Sequence, residues 1–351
     1  MSRPQVLVIG HYPLERLDRA PKVRIYEMAS ALAHYATVTL VAGSRRDRAR
    51  RLRGVAAGIL PRVDLVYVES ASSTATPTDL WFLARVRQRR IPLAVYVRDA
   101  YQRFPDLYPA RTAKEKLLAA LYGVSLAAYN GLATQVFVPT PGLAAVVRSP
   151  HPALLPPGGR PYPRPPGPPP DPCQVLYVGA GGPYDGVDGL LEAMQQVRAT
   201  EPRARLTLVM RRPEWPLSKV PDGVELVEAA GPELAPYLWR AGLAVIPRPD
   251  TAYNRLALPV KLLDYWSHGL PVVVTGPSAA ASLTESAGAG LAVPASVEGI
   301  AAGLTRLMGD PAMRAGFAAG ALAAVAGPHH WDRRAEAVLA LLTGKRGDDG
   351  R

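Results

Sequence analysis

The residues best suited to chemistry cluster between Arg248 and Thr275. Pro259 suits the first position of a helix, where its missing N–H costs nothing, and Gly269 followed by Pro271 ends that helix. Lys261 and Asp264 lie three residues apart and so share one face of it. A helix N-terminus, an ammonium group and a carboxylate one turn on can hold a sugar or phosphate, a phosphate, and a ribose diol, respectively. An ordinary surface ion pair fits the same spacing. Gly179-Ala180-Gly181-Gly182 follows the apolar run Gln174–Val178, and glycines there let backbone N–H groups approach a phosphate. A dinucleotide fingerprint needs a further glycine where Tyr184 stands and an acid where Met210-Arg211-Arg212 stands, so NAD and FAD sites are excluded. No phosphate-binding Walker sequence is present. In the first half, Gly10-His11 follows the apolar run Gln5–Ile9, and Arg98-Asp99 follows Leu93–Val97. Asp99 can orient or deprotonate a hydroxyl, or it can cap the segment after it.

These residues need a scaffold, and the hydrophobic pattern supplies one. Short continuous apolar runs at Gln5–Ile9, Thr37–Ala42, Asp64–Val68, Leu93–Val97 and Gln135–Val138 alternate with helical stripes such as Ile25, Met28, Leu32 and Tyr35. Such strands belong to a parallel sheet covered on both faces. Pro156 to Pro172 then holds ten prolines in 17 residues, an extended, semi-rigid stretch that reads as a linker. The alternation resumes at Gln174–Val178, Arg205–Met210, Glu225–Glu228, Leu243–Ile246 and Val272–Thr275. The expected layout is α/β: a first domain over 1–155, a linker over 156–172, a second domain over 173–327, and a closing helix from Trp331 to Leu342 within 328–351, ending in a polar, frayed tail. In open parallel sheets, ligands bind at the carboxyl ends of the strands. Two such domains are expected to leave a cleft that the loops after the strands line.

Pro259-x-Lys261-x-x-Asp264-Tyr265 followed by Gly269-x-Pro271-Val272-Val273-x-Thr275 resembles the donor-site signature of GT-B glycosyltransferases, in the form used by glycosyltransferase family four. Tyr177-Val178-Gly179 with Gly186-Val187-Asp188 resembles the start of that family's C-terminal domain. Leu155-Pro156-Pro157-Gly158-Gly159 resembles its interdomain turn, His330-Trp331-Asp332 its closing helix, and Lys22-x-Arg24-x-Tyr26 its first helix. The resemblance implies a GT-B fold, two doubly wound Rossmann-like domains facing each other across a cleft. It implies a transferase that takes a sugar from a nucleotide-diphosphate sugar with retention, and needs neither cofactor nor metal. Asp264 would then take the ribose hydroxyls. Lys261 and Arg248 would neutralise the leaving diphosphate, with Gly179, Gly181 and Gly182 beside it. Asn254, Leu258, Pro259 and Val260 would line the donor side, and backbone N–H groups at 257–260 would hold the sugar. Asp99 would act on the acceptor, with Gly10, His11 and Arg98 around it.

The departures are specific. Where the family's paired glutamates fall, this chain has Leu256 and Asp264. Where it grips the diphosphate with Arg and Lys, this chain has Ala180 and Asp185. Those losses leave two other readings open: a non-catalytic relative that binds nucleotide sugars or serves as a partner subunit, and a nucleotide-sugar epimerase.

Composition narrows the partners. The net charge is +12, and residues 1–160 hold 23 Lys+Arg against 10 Asp+Glu. A glycan or lipid-linked acceptor, or an anionic membrane surface, fits that basic half. The run Arg45-Arg46-x-Arg48-x-Arg50-Arg51-x-Arg53 reads as a solvated helix face or as a membrane contact. No aromatic-interleaved surface supports nucleic acid. Residues 117–147 carry no charged side chain, yet contain Asn130, Gln135, Pro139 and Pro141, and read as a buried helix and strand, with a helix on a membrane surface as the rival. One cysteine, Cys173, excludes a disulfide framework. The N-terminus runs straight into a strand without a signal-peptide pattern, and a cytoplasmic location is expected, with peripheral membrane association.

Overall fold

The computed structural model describes residues 3–150, 152–215 and 220–343. The polar tail expected over 344–351 lies outside them. The described residues up to Pro157, with those from Trp331 onward, form one compact unit, and Gly158–His330 form the other.

The first unit runs β1 (Gln5–Gly10), α1 (Ala20–Tyr35), β2 (Thr37–Ala42), α2 (Arg45–Ala57), β3 (Leu65–Glu69), α3 (Pro77–Gln88), β4 (Leu93–Tyr96), α4 (Ala113–Leu132), β5 (Gln135–Val138), α5 (Pro141–Val147) and β6 (Pro152–Leu154). All six strands are parallel in the order β2-β1-β3-β4-β5-β6. β3 and β4 are buried throughout, as continuous apolar runs require when helices cover both faces. One face packs on α2, α3, α4 and α5 through Leu52, Phe82, Leu126 and Val147. The other packs on α1 and on a helix from the far end of the chain through Met28, Leu32, Trp331 and Val338.

The second unit runs β7 (Asp171–Val178), α6 (Val187–Thr200), β8 (Arg205–Val209), β9 (Val224–Val227), α7 (Ala235–Arg240), β10 (Ala241–Ile246), α8 (Val260–Ser267), β11 (Val272–Gly276), α9 (Ala279–Ser286), β12 (Gly290–Pro294), α10 (Val297–Gly309) and α11 (Pro311–Ala326). Its strands are parallel in the order β12-β11-β10-β7-β8-β9. α12 (Trp331–Leu339) returns to the first unit, where His34 meets Asp332 at 2.9 Å and Tyr35 donates to Glu336 at 3.1 Å.

Three details differ from the expectation. The proline-rich run is not a free spacer from 156 to 172. From residue 158 it belongs to the second unit, because its N–H groups find partners there: Gly159 donates to the His329 carbonyl at 2.8 Å and Tyr162 to the Ser267 carbonyl at 2.8 Å. β7 begins at Asp171, inside that run. β6 and β12, short edge strands, carry too little pattern to stand out in the sequence.

Candidate functional site

Each sheet reverses its direction of growth once, and candidate residues collect at both reversals, where open parallel sheets place ligands. In the second unit the chain builds outward from β7 to β9 and then returns to place β10 on the other side of β7. The loops after β7 and β10 therefore diverge. Gly186, with φ of +79°, caps α6 and lies so close to the Pro247 carbonyl that a Cβ there has no room. This contact brings the glycine turn and the Arg248 loop together.

Lys261, on the first turn of α8, reaches into the same place. Its Nζ lies 4.1 Å from the centroid of the Tyr177 ring, a cation–π contact, and it fills the space that a side chain at Gly179 would take. Burial and the neighbouring Arg248 charge pull the Lys261 amine down to about 7, while Asp185 opposes them. Tyr177 donates to the Ala180 carbonyl at 2.6 Å, and burial holds its phenol well above the usual range. Val178 N–H donates to Tyr265 Oη at 2.8 Å, which pins α8 to the end of β7.

The Gly182 N–H is already used: it donates to Asp185 Oδ2 at 3.2 Å. Asp185 also faces Arg248, with Nη2 3.7 Å from Oδ1, whereas the buried Arg248 Nε has no partner in the protein. The carboxylate of Asp185 thus takes the contacts an anion would make with Gly182 and Arg248. Asp264 follows Lys261 by one turn of α8 and is half-buried. Asn254, expected on the donor side, spends both hydrogens of its side-chain amide on protein carbonyls, Tyr184 at 3.0 Å and Pro249 at 2.9 Å, and so fastens the two loops together. Of the backbone donors expected at 257–260, Ala257 N–H is taken by the Tyr253 carbonyl, and Pro259 has none. Leu258 and Val260 lie at the entry to α8, and Gly181 lies in the turn after β7.

In the first unit the reversal lies between β1 and β3. Gly10 ends β1 and allows Ile25 of α1 to approach, since a Cβ at Gly10 meets Ile25 Cγ2 at 2.7 Å. His11 Nδ1 accepts from Ala71 N–H at 3.0 Å. Burial and the Arg48 charge lower its pKa to about 4, so it is neutral near pH 7. Asp99 is only 4 % exposed. Its Oδ2 accepts from Ser72 Oγ at 2.7 Å and from Arg98 Nε at 3.0 Å, and Oδ1 has no partner in the protein. Gln102 Nε2 donates to the Ser72 carbonyl at 2.8 Å, while its buried Oε1 also lacks a partner. Ser72 and Gln102 were not evident from the sequence, because nothing but the fold brings three loop segments together.

Two buried ion pairs were also hidden. Arg48 makes a double contact with Asp79 at 2.8 and 2.9 Å, with both residues under 5 % exposed. The arginine run on α2 is therefore not one exposed face: Arg48 points inward, and Arg45, Arg46, Arg50, Arg51 and Arg53 point outward. Arg24 meets Glu69 with Nε–Oε1 at 3.0 Å and lies 3.5 Å above the Tyr96 ring. Among the described residues, no three His, Cys, Asp or Glu side chains gather in a way that can hold a metal ion.

The chain resembles sucrose-phosphate synthase from Thermosynechococcus elongatus with a TM-score of 0.69 at 16% identity, over 97% of this chain and 99% of that one. It resembles the Anabaena protein HepE in complex with UDP with a TM-score of 0.68 at 13% identity, over 97% and 100%. It also resembles WaaG, a glycosyltransferase involved in lipopolysaccharide biosynthesis, with a TM-score of 0.65 at 16% identity, over 97% and 100%. The fold is GT-B. Residues 172–310, most of the second unit, match the family model described as "Glycosyl transferases group 1". No curated protein matches the chain in sequence.

Proposed function

We propose that this GT-B protein is a glycosyltransferase that takes its sugar from a nucleotide-diphosphate donor. The observation that carries the reading is the convergence of Lys261, Arg248 and the Gly179–Gly182 turn at the reversal of the sheet matched by the group 1 glycosyltransferase model. UDP and UDP-glucose bound to the similar Anabaena protein support a nucleotide sugar as the ligand.

In this reading the diphosphate lies against Lys261 and Arg248, and Asp264 accepts hydrogen bonds from the ribose hydroxyls. The bond between the anomeric carbon and the diphosphate oxygen breaks, and the new bond forms to an acceptor oxygen. Negative charge grows on the departing diphosphate, and two fixed cations in a partly dry site stabilise it more than they stabilise the bound donor. These cations do the work a metal does in other transferases, so activity is expected to persist in chelator. Asp99 Oδ1 accepts the hydrogen of the acceptor hydroxyl, and Arg98 and Ser72, which also bond to each other, hold that carboxylate in place through Oδ2. Retention of configuration belongs to the same proposal.

Single-turnover assays with UDP-sugars and a panel of acceptors test the reading. Transfer lost in both Lys261→Ala and Asp99→Asn, with donor binding weakened only in the first, is the expected result. Tight donor binding without any turnover favours the non-catalytic reading, to which Asp185 and Leu256 point.

A further inference from the structure

Helix α4 is buried where it crosses the sheet and bare where it begins. Its buried residues are Tyr122, Ser125, Leu126 and Tyr129. Its first twelve residues carry Leu117, Leu118, Leu121 and Val124 at 59, 40, 42 and 57 % exposure. Leu117, Leu121 and Val124 follow the spacing of one helical stripe. Exposed Arg111, Lys114 and Lys116 surround its first turn. The one acid of the helix, Glu115, is spent on the cap, accepting from Arg111 and Thr112 N–H at 2.7 and 2.9 Å. The sequence reading of a buried helix over this segment therefore holds for its second half only.

The surroundings extend the pattern. α2, α3 and α4 lie over the same face of the sheet, with their buried side chains turned to one core. Trp81 of α3 is 40 % exposed beneath Arg85, whose guanidinium lies 5.3 Å from the ring centroid. The exposed arginines of α2 belong to the same layer.

We propose that the exposed half of α4 is an interfacial docking helix and that its partner is the surface of an anionic lipid bilayer. Aliphatic side chains with no hydrogen-bonding groups, ringed by cations, suit the boundary between acyl chains and anionic headgroups. The helix lies on the membrane rather than crossing it, since no helix among the described residues is long and apolar enough to span one. A second copy of this chain is a poor occupant, because its basic rim meets the same basic rim. Docking also serves the proposed site. Tyr122 Oη donates to the Asp99 carbonyl at 2.6 Å, and Leu117 precedes Tyr122 by about 7.5 Å along the helix axis. The acceptor hydroxyl offered to Asp99 is then one carried by a membrane lipid. This last step rests on the transferase reading; the docking does not.

Flotation with equimolar phosphatidylcholine/phosphatidylglycerol vesicles, with no donor present, tests the docking. The protein floats with these vesicles and not with phosphatidylcholine alone. Leu117→Ser/Leu121→Ser/Val124→Ser, which changes exposed positions only, binds at least about tenfold more weakly with an unchanged melting temperature. Lys114→Gln/Lys116→Gln weakens binding at low salt and has less effect at high salt. Undiminished flotation of the serine variant overturns the proposal. So does a wild-type dimer that the serine variant dissolves, which puts a second copy on this face. Donor affinity, read separately by calorimetry, stays at the wild-type value in both variants, so failure of docking and failure of the transferase reading are different results.

Discussion

The Lys261 ammonium lies 4.1 Å from the centroid of the Tyr177 ring, against Gly179. A residue on α8 and two residues at the end of β7 thus form one small cationic corner. A methyl group at position 179 displaces the lysine. Gly179→Ala is expected to weaken nucleotide binding at least about tenfold and to cost roughly 1–3 kcal/mol of stability, the range for overpacking a tight site. Calorimetry and urea unfolding read the two effects. Wild-type affinity in this variant removes Lys261 from the donor site.

The lowered pKa of Lys261, about 7, makes a signed prediction for pH. A bound diphosphate favours the ammonium, so the pKa in the complex lies above that of the free protein. Affinity is then steady below about pH 7 and falls as pH rises through the window between the two values, by up to about tenfold per pH unit. Lys261→Arg keeps its charge throughout and flattens the profile. A wild-type profile that is flat from pH 6 to 9, as measured by calorimetry in buffers of matched ionic strength, contradicts the assignment.

Asp185 holds the Gly182 N–H and faces Arg248. A diphosphate competes with this internal carboxylate for both. Asp185→Asn removes the negative charge and is expected to tighten nucleotide diphosphate binding several-fold. Weaker binding in this variant means that the aspartate positions Arg248 instead of competing for it.

Asp99→Asn keeps the shape of the buried cluster around Ser72 and Arg98 and removes the basic oxygen. The expected loss in kcat is about 10²–10⁴, the scale for a positioned general base, with donor affinity unchanged. A loss confined to donor affinity disproves the acceptor-side role.

Arg48 and Asp79 carry stability rather than function. Arg48→Met leaves a buried carboxylate unpaired and is expected to cost about 3–5 kcal/mol in urea unfolding. Arg46→Met, on the exposed side of the same helix, stays within about 0.5 kcal/mol of wild type. Equal effects from the two mean that the arginine run presents one continuous face after all. Nearby His11 adds an acid sensitivity of definite sign. Its folded pKa of about 4 lies below the ordinary 6.5. The unfolded chain therefore binds the extra proton first, and stability falls as pH drops from about 6.5 towards 4.

Much of this architecture is legible in the sequence, for a physical reason. Parallel strands buried on both faces need continuous apolar runs, so β5 stands out at its observed limits, Gln135–Val138, and β3 and β4 within one residue of theirs. Helix punctuation is equally direct at α8, where Pro259 and Gly269, with φ of +68°, bracket the helix. Long-range pairing is what a single sequence conceals. Nothing local links Arg48 to Asp79, or Asp99 to Ser72, and nothing at Asn254 announces that its amide bridges the Tyr184 and Pro249 carbonyls. The inward turn of Arg48 and the bare beginning of α4 depend on where each helix meets the sheet. A charge run or an apolar segment does not record that.

The central claim is that the second unit binds a nucleotide sugar through Lys261 and Asp264. Calorimetric titration of UDP and UDP-glucose into the wild-type protein and Asp264→Ala, without added metal, tests it most directly. The account predicts measurable binding of at least one ligand to the wild type and its loss, or a drop of at least about tenfold, in the variant. Binding of the same strength to both proteins contradicts the account, as does a wild-type chain that binds no nucleotide or nucleotide sugar of any base.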